Sequence, residues 1–256
     1  MNIVVLVKQV PDSSSARSLS ATDNTVERAS ASNIVNEMDE YAIEEALKLK
    51  EAHGGEVTVL TMGPPSATES IRKALSMGPD RAVHVTDDAL HGSCAVMTSK
   101  VLAAALSRLS ADVVLCGAES TDGRVQVMPH MLAERLGVAA LTGARSLTAD
   151  GDRLTAQRQT DDGYEVVTAA TPVVVSVWDT INEPRYPSFK GIMAAKKKPV
   201  ETLSLADLGV DPASLEATSA VLGFATRPPR AAGTRVTDDG EGGTQLVAYL
   251  ATEKFV

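Results

Sequence analysis

Aromatic residues are scarce in this chain: one Trp, four Tyr and three Phe make up 3% of its 256 residues. The core must be assembled from Ala, Val, Leu and Ile, and an aromatic placed anywhere else is conspicuous. Cysteine is scarcer still. Cys94 and Cys116 form no C-x-x-C pair and no metal-ligand spacing, which leaves no basis for a disulfide framework or a metal site; both fall in apolar stretches and read as buried thiols. Positive charge is also short, with 24 Lys and Arg against 33 Asp and Glu, a net charge of −9. That balance argues against nucleic acid as a partner, which needs broad basic surface. No apolar run approaches the ~20 residues of a membrane span. The N-terminus, MNIVVLVKQVPD, is too short an apolar run for a signal peptide and lacks a basic start. A soluble, cytoplasmic protein without membrane insertion is expected. Neither G-x-G-x-x-G nor G-x-x-x-x-G-K-[ST] occurs.

What is present is an alternation. Ile3–Val10 reads as a buried strand closed by Pro11, and the polar stretch Pro11–Asn33 as loop or frayed hairpin. Asp39–His53 has the helical period and ends at Gly54-Gly55. Strands are expected at Val57–Met62, Ala82–Thr86 and Val113–Gly117, and helices at Ser66–Met77, Ser93–Leu109 and Val127–Leu136. Alternation of this kind predicts a doubly wound parallel α/β sheet covered by helices on both faces. Four short strands follow: Ala144–Thr148, Arg153–Gln159, Glu165–Ala170 and Val173–Trp178. Asp150-Gly151 and Asp161-Asp162-Gly163 mark hairpins between the first three, so a β-ribbon follows the parallel region. From Leu203 onward DDGEGG and RPPRAAG are linker-like, with a short terminal helix at Thr244–Leu250. The expected division is residues 1–200 as the α/β domain and 201–256 as an arm that lies on something else.

In such sheets ligands sit at the carboxyl ends of the strands, where strand order reverses. Three segments can line that crevice: Leu6 to Gln9, Thr61–Pro65, and Gly117–Pro129. In the last, Gly117 and Gly123 allow close backbone approach, and the helix that follows offers free N–H groups to a phosphate. An ordinary βα loop is the competing reading. His53, His84, His91 and His130 pair with no nucleophile in a catalytic order. Glu40, Glu44 and Glu45 read as a solvated helix face, and Asp161, Asp162 and Glu165 belong to a hairpin. With no nucleophile elbow and no metal or general-base set, the chain reads as a binding and docking subunit, not an enzyme in its own right. Its other oddity is NEPRYPSFKGIMAAKKKP, residues 182–199, where Phe189 stands beside Lys190, Lys196, Lys197 and Lys198 on a stretch stiffened by Pro184 and Pro187.

These blocks, in this order, resemble the beta subunit of electron transfer flavoproteins. The specific ones are AQRQTDDGYEVVTAATPVVVS (156–176) and NEPRY…KGIMAAKKK; LVKQVPD is also similar, and the helical blocks EYAIEEALKLKE and IRKALSMGPDRAVHV are weaker. The resemblance implies a sheet of the adenine-nucleotide alpha-hydrolase type and an alpha-subunit partner holding the redox-active FAD. It implies AMP in the beta subunit or, in electron-bifurcating relatives, a second FAD. Electrons would come from acyl-CoA or related dehydrogenases and leave through a quinone oxidoreductase to the respiratory chain.

By the same resemblance the nucleotide positions fall on Leu6, on Asn36, Glu37, Met38 and Asp39, and on Met62. In the third loop they fall on Gly117, Ala118, Glu119, Ser120, Thr121 and Asp122, then on Gly123, Arg124, Val125, Gln126, Val127 and Met128. Asn36 is the clearest side-chain match. Gln126-Val127-Met128-Pro129 departs from the T-G-Q of many relatives, removing hydroxyl contacts but leaving backbone donors. Gln159 stands where many relatives carry an acid facing the FAD domain, so a neutral hydrogen bond is expected there. The recognition loop is similar over Glu183, Pro184, Arg185, Tyr186, Phe189, Lys190, Ile192, Met193 and Lys196–Lys198, with Phe189 replacing the leucine that plugs a dehydrogenase pocket. A stand-alone adenine-nucleotide sensor of the universal-stress type is the alternative; it would end near residue 150 and need neither ribbon nor loop.

Overall fold

The protein is described by a computed structural model covering residues 1–15, 17–230, 233 and 235–256. Ala16, in the polar segment after Pro11, and Ala231 and Ala232, in RPPRAAG, lie outside the described residues. The chain divides into two compact units, Met1–Leu222 and Gly223–Val256.

In the first unit β1 (Asn2–Leu6) is followed by β2 (Gln9–Pro11), β3 (Asn33–Val35), α1 (Glu37–His53), β4 (Glu56–Met62), α2 (Thr68–Met77), β5 (Arg81–Val85), α3 (Ala95–Leu109), β6 (Val113–Gly117) and α4 (Met128–Leu136). Then come β7 (Ala139–Asp150), β8 (Arg153–Thr160), β9 (Gly163–Ala170), β10 (Val173–Val177), α5 (Phe189–Ala195) and β11 (Val200–Leu203). Nine strands form one sheet in the order β11-β5-β4-β1-β6-β10-β7-β8-β9. Neighbours from β11 to β7 run parallel, and β7-β8-β9 is an antiparallel ribbon. Alternate side chains feed separate cores on the two faces. Ile3 and Val5 pack with α1 and α2 residues such as Ile43 and Ile71; Val4 and Leu6 pack with Val101 of α3 and Leu132 of α4. This two-sided burial is why the parallel strands read as unbroken apolar runs.

Four differences from the sequence expectation bear on function. The strand expected at Ile3–Val10 breaks after Leu6, because the Lys8 N–H leaves the sheet and donates to Asp39 Oδ2 at 2.8 Å. The strand expected at Ala144–Thr148 is twelve residues long. Its first half pairs with β10 and its second with β8, across a turn of backbone at Gly143, φ 69°. The glycine, in left-handed backbone, lets one strand change partners. The loop around Phe189 contains a helix, α5, whose first turn is capped by Ser188 Oγ accepting from Gly191 N at 3.0 Å. Finally, the arm does not begin at residue 201. Val200–Leu203 adds an edge strand beside β5, and Leu203, Leu205 and Leu215 are buried in the core on the α3 side. Among its described residues the second unit holds one helix, α6 (Gly242–Thr252), none of whose residues is buried.

Candidate functional site

Strand order reverses about β1: β4 lies on one side and β6 on the other. At the carboxyl ends of these three strands opens a cleft of about 340 Å³, where ligands of open α/β sheets bind. Leu6, Leu60, Met62, Leu102 and Cys116 give it an apolar wall, and the loop after β6 gives it a polar one.

Asp39 holds the walls together. Its Oδ1 accepts from Asn36 Nδ2 at 3.0 Å and from Gly117 N at 3.2 Å, while Oδ2 takes the Lys8 N–H. One carboxylate thus ties the start of α1 to the ends of β1 and β6. Burial pushes its pKa up to about 7, against the pull of those donors. Asn36 is equally committed: its Nδ2 also donates to Glu119 O at 2.9 Å and its Oδ1 accepts from Thr121 N at 3.0 Å. Its amide shapes the loop. Gly117 is required by proximity, since a Cβ there would lie 2.5 Å from Met38 Cβ.

Of the nucleotide positions read from sequence, Leu6, Asn36, Asp39, Met62, Gly117, Ala118, Glu119, Ser120, Gly123 and Val125–Met128 line the cleft. Five do not. Glu37 accepts from Ser13 Oγ, Met38 packs under Gly117, and Arg124 carries a left-handed backbone. Thr121 Oγ1 is buried without a partner among the described residues. Asp122 sits between Lys8 Nζ at 2.7 Å and Arg28 NH2 at 2.8 Å. Burial opposes its ionisation, but these cations and Ser120 outweigh it and hold its pKa below the ordinary value. Sequence reasoning did not single out Lys8, nor did it find Ser93, Ala95 and Thr98, which supply the α3 side of the cleft. Residues following β5 carried no signal beyond their place in the alternation.

Gln159 is exposed and lines a second, shallower cavity of about 300 Å³ with Arg158, His130, Gln126 and Trp178. Ala118 and Gln126 border both cavities.

The segment 182–198 is fastened to α1 and α2. Arg185 spans Glu44 and Glu51, and Asn182 Nδ2 donates to Glu45 at 3.0 Å. Glu44 and Glu45 are buried, so the solvated face expected of them is instead the seat of this segment. Arg72 of α2 donates to the carbonyls of Ala195 and Lys198, and Lys198 Nζ to that of Leu75. A Cβ on Gly191 would lie 2.5 Å from Ser76 O, so glycine lets α5 rest against α2. Arg185 and Lys198 therefore face the protein. Tyr186 (91% exposed), Phe189 (80%), Ile192 and Met193 face outward, with Glu183, Lys190, Lys196 and Lys197 exposed beside them and Pro184 half-buried. Cys116 is buried as expected; Cys94 is half-exposed, with its Sγ 3.4 Å from Thr218 Oγ1.

Comparison with known proteins agrees with this architecture. The family model for the electron transfer flavoprotein domain matches residues 23–208. The chain is 48% identical to the electron transfer flavoprotein subunit beta of Mycobacterium bovis and to that of Mycobacterium leprae, over 100% of this chain and 99% of each relative. It is 35% identical to the Megasphaera elsdenii beta subunit over 100% of this chain and 98% of that one. The chain belongs to the electron transfer flavoprotein beta-subunit family. No helix among its described residues is long and apolar enough to cross a membrane.

Proposed function

We propose that this chain pairs with an alpha subunit, that the alpha subunit carries the redox-active FAD, and that the cleft of this chain holds AMP as a structural group. The carrying observation is the cleft itself: at about 340 Å³ it lies near the lower end of the usual range for ligand pockets, ~300–1,000 Å³, a size suited to one mononucleotide. A second FAD would need roughly double that space. The residues fit such a guest, with an apolar wall for a base and, among the described residues, N–H groups of Val125, Gln126, Val127 and Met128 that donate to no protein acceptor. FAD supplies the redox chemistry. This chain's residues position and dock: Gln159, exposed, meets the FAD domain, and the arm of the second unit, with Leu246, Val247 and Tyr249 exposed on α6, lies on the alpha subunit.

The patch of Tyr186, Phe189, Ile192 and Met193 receives an acyl-CoA or related dehydrogenase, and electrons leave towards a quinone oxidoreductase and the respiratory chain, in the cytoplasm. Four outward apolar side chains on a braced segment are a poor investment for a monomer and a good one for an interface. The test is to purify the chain with its co-expressed partner, heat-denature it and identify the released nucleotide by mass. One AMP with one FAD supports the assignment. Two FAD and no AMP, or no nucleotide beyond one FAD, refutes it.

A further inference from the structure

We propose that the hairpin around Leu19–Val26 is a clasp that ties two walls of the cleft together from outside, and that its opening sets how fast the bound nucleotide exchanges. This rests on the nucleotide assignment of the cleft made above.

The hairpin belongs to the long segment between β2 and β3. Leu19 and Val26 pair in antiparallel fashion, with Ser20 N donating to Thr25 O at 2.8 Å and Glu27 N to Ser18 O at 3.0 Å. Its turn is stiffened locally. Asn24 carries left-handed backbone (φ 57°), a conformation asparagine tolerates, and Asp23 Oδ1 accepts from the Thr25 N–H at 3.0 Å and from its hydroxyl at 2.8 Å. Yet no residue from Arg17 to Asn33 is buried. A preformed hairpin without a core is placed by its polar contacts, and these fall on two different walls of the cleft.

On one side Arg17 donates to the Thr121 carbonyl, and Arg28 NH2 to Asp122 Oδ2 at 2.8 Å. Thr121 and Asp122 stand in the loop after β6, between Ser120 and Gly123, which line the cleft. On the other side His91 Nε2 lies 2.7 Å from Asp23 Oδ2, and a Cβ on Gly92 would lie 3.8 Å from the Thr25 methyl. His91 and Gly92 lead directly into Ser93, which lines the α3 side of the cleft with Ala95 and Thr98. Asn24 Nδ2 adds a bond to Val221 O at 2.8 Å. Among the described residues none of the hairpin lines the cleft. It therefore acts on the spacing of the walls and not by touching the guest.

The two attachments differ in strength. Arg28 is anchored to a carboxylate whose side chain is only 3% exposed and which Lys8 also holds. The side chains of His91 and Asp23 are 69% and 40% exposed, and a contact of that kind is worth little in water. The hairpin is thus fixed at its stem and lightly latched at its tip. Such a region opens locally at small cost while the sheet stays folded. Lifting the tip releases the α3 side from the loop after β6, while Asp39 still joins α1 to β1 and β6.

Two measurements on the heterodimer test this. Exchange of bound AMP for isotope-labelled AMP, followed by mass, gives the dissociation rate. Calorimetric titration of AMP into the nucleotide-depleted heterodimer gives the equilibrium affinity. A gate speeds entry and exit together. His91→Ala should therefore raise the exchange rate about two- to fivefold, the range of one exposed contact, with the affinity unchanged. Asn24→Gly keeps the left-handed turn and removes the bond to Val221; it should act alike, and the double variant should exceed either alone. Unchanged exchange in the double variant refutes the clasp. Faster exchange matched by an equal loss of affinity also refutes it, because the hairpin would then stabilise the bound state and not gate it. If one single variant does not fold, the other decides by the same two readings. Wild-type heterodimer that neither holds nor takes up AMP refutes the nucleotide assignment, and the clasp with it.

Discussion

Arg185 grips Glu44 with two donors, Nε at 2.7 Å from one carboxylate oxygen and NH2 at 2.9 Å from the other, while its NH1 reaches Glu51 at 2.6 Å. The fork matches a carboxylate bidentately, and Glu44 is nearly shielded from water. The pair fastens the segment that carries Phe189 to α1.

Glu44→Gln should therefore loosen residues 182–198 before it unfolds the sheet. Because Arg185 is about one-third exposed, the loss is expected at about 1–3 kcal/mol, below that of a fully buried pair. Limited proteolysis should show faster cutting within this segment, with the thermal midpoint only modestly lowered. Equal proteolysis of variant and wild type would mean that Arg72 and Gly191 suffice to hold it.

Phe189→Ala should slow electron transfer from the dehydrogenase while leaving assembly with the alpha subunit intact. A ring that is 80% exposed in the free protein contributes little to its fold; its burial in a complex is worth about 1.5–3 kcal/mol. Stopped-flow reduction of the assembled flavoprotein gives the rate, and gel filtration the assembly. Unchanged rates would remove Phe189 from the docking surface.

Asp39 makes stability depend on pH in an unusual direction. Its folded pKa, about 7, is above the ordinary 3.8, so the folded state holds a proton that the unfolded chain releases. The contribution of this group is full below the ordinary value and is lost as pH rises through about 7. Denaturant melts should show roughly 2–4 kcal/mol less stability from this group at pH 8 than at pH 4. Asp39→Asn should flatten that part of the profile. An unchanged slope in the variant would assign the pH dependence to other groups.

The two cysteines should behave as opposites. At Cys94 burial raises the pKa, but hydrogen bonds from Thr218 and from the backbone N–H groups of Met97 and Val96 outweigh it and bring the thiol down to about 6. At Cys116 burial, with Asp39 nearby, drives it well above the usual thiol range. Iodoacetamide at pH 7.5 should modify Cys94 alone, with a rate inflecting near pH 6, and Cys116 only after unfolding. Labelling of Cys116 in the native protein would contradict its burial.

Much of this was legible because it is local. Val113–Gly117 is a central strand whose five residues are all buried, and its sequence is apolar from end to end. The three cleft loops follow from element order and the switch-point rule. What was not legible depends on distant partners. Glu44 looks like a solvated residue until Arg185, 141 positions later, covers it. Lys8 is an unremarkable cation until Asp122, 114 positions later, fixes its ammonium at the cleft. Val200–Leu203 resembles the start of a linker, because only β5 makes it a strand.

The placement of β10 between β6 and β7 has a consequence for synthesis. β6 is made first, and its outer edge stays open while α4, β7 and the ribbon follow. Only when Val173–Val177 appears can the middle of the sheet close, and β5 waits longer still, until Val200–Leu203. A nascent chain shorter than this carries bare strand edges, which recruit other chains. This protein should depend on reaching Leu203, about four-fifths of the way along its chain, before it is safe from aggregation.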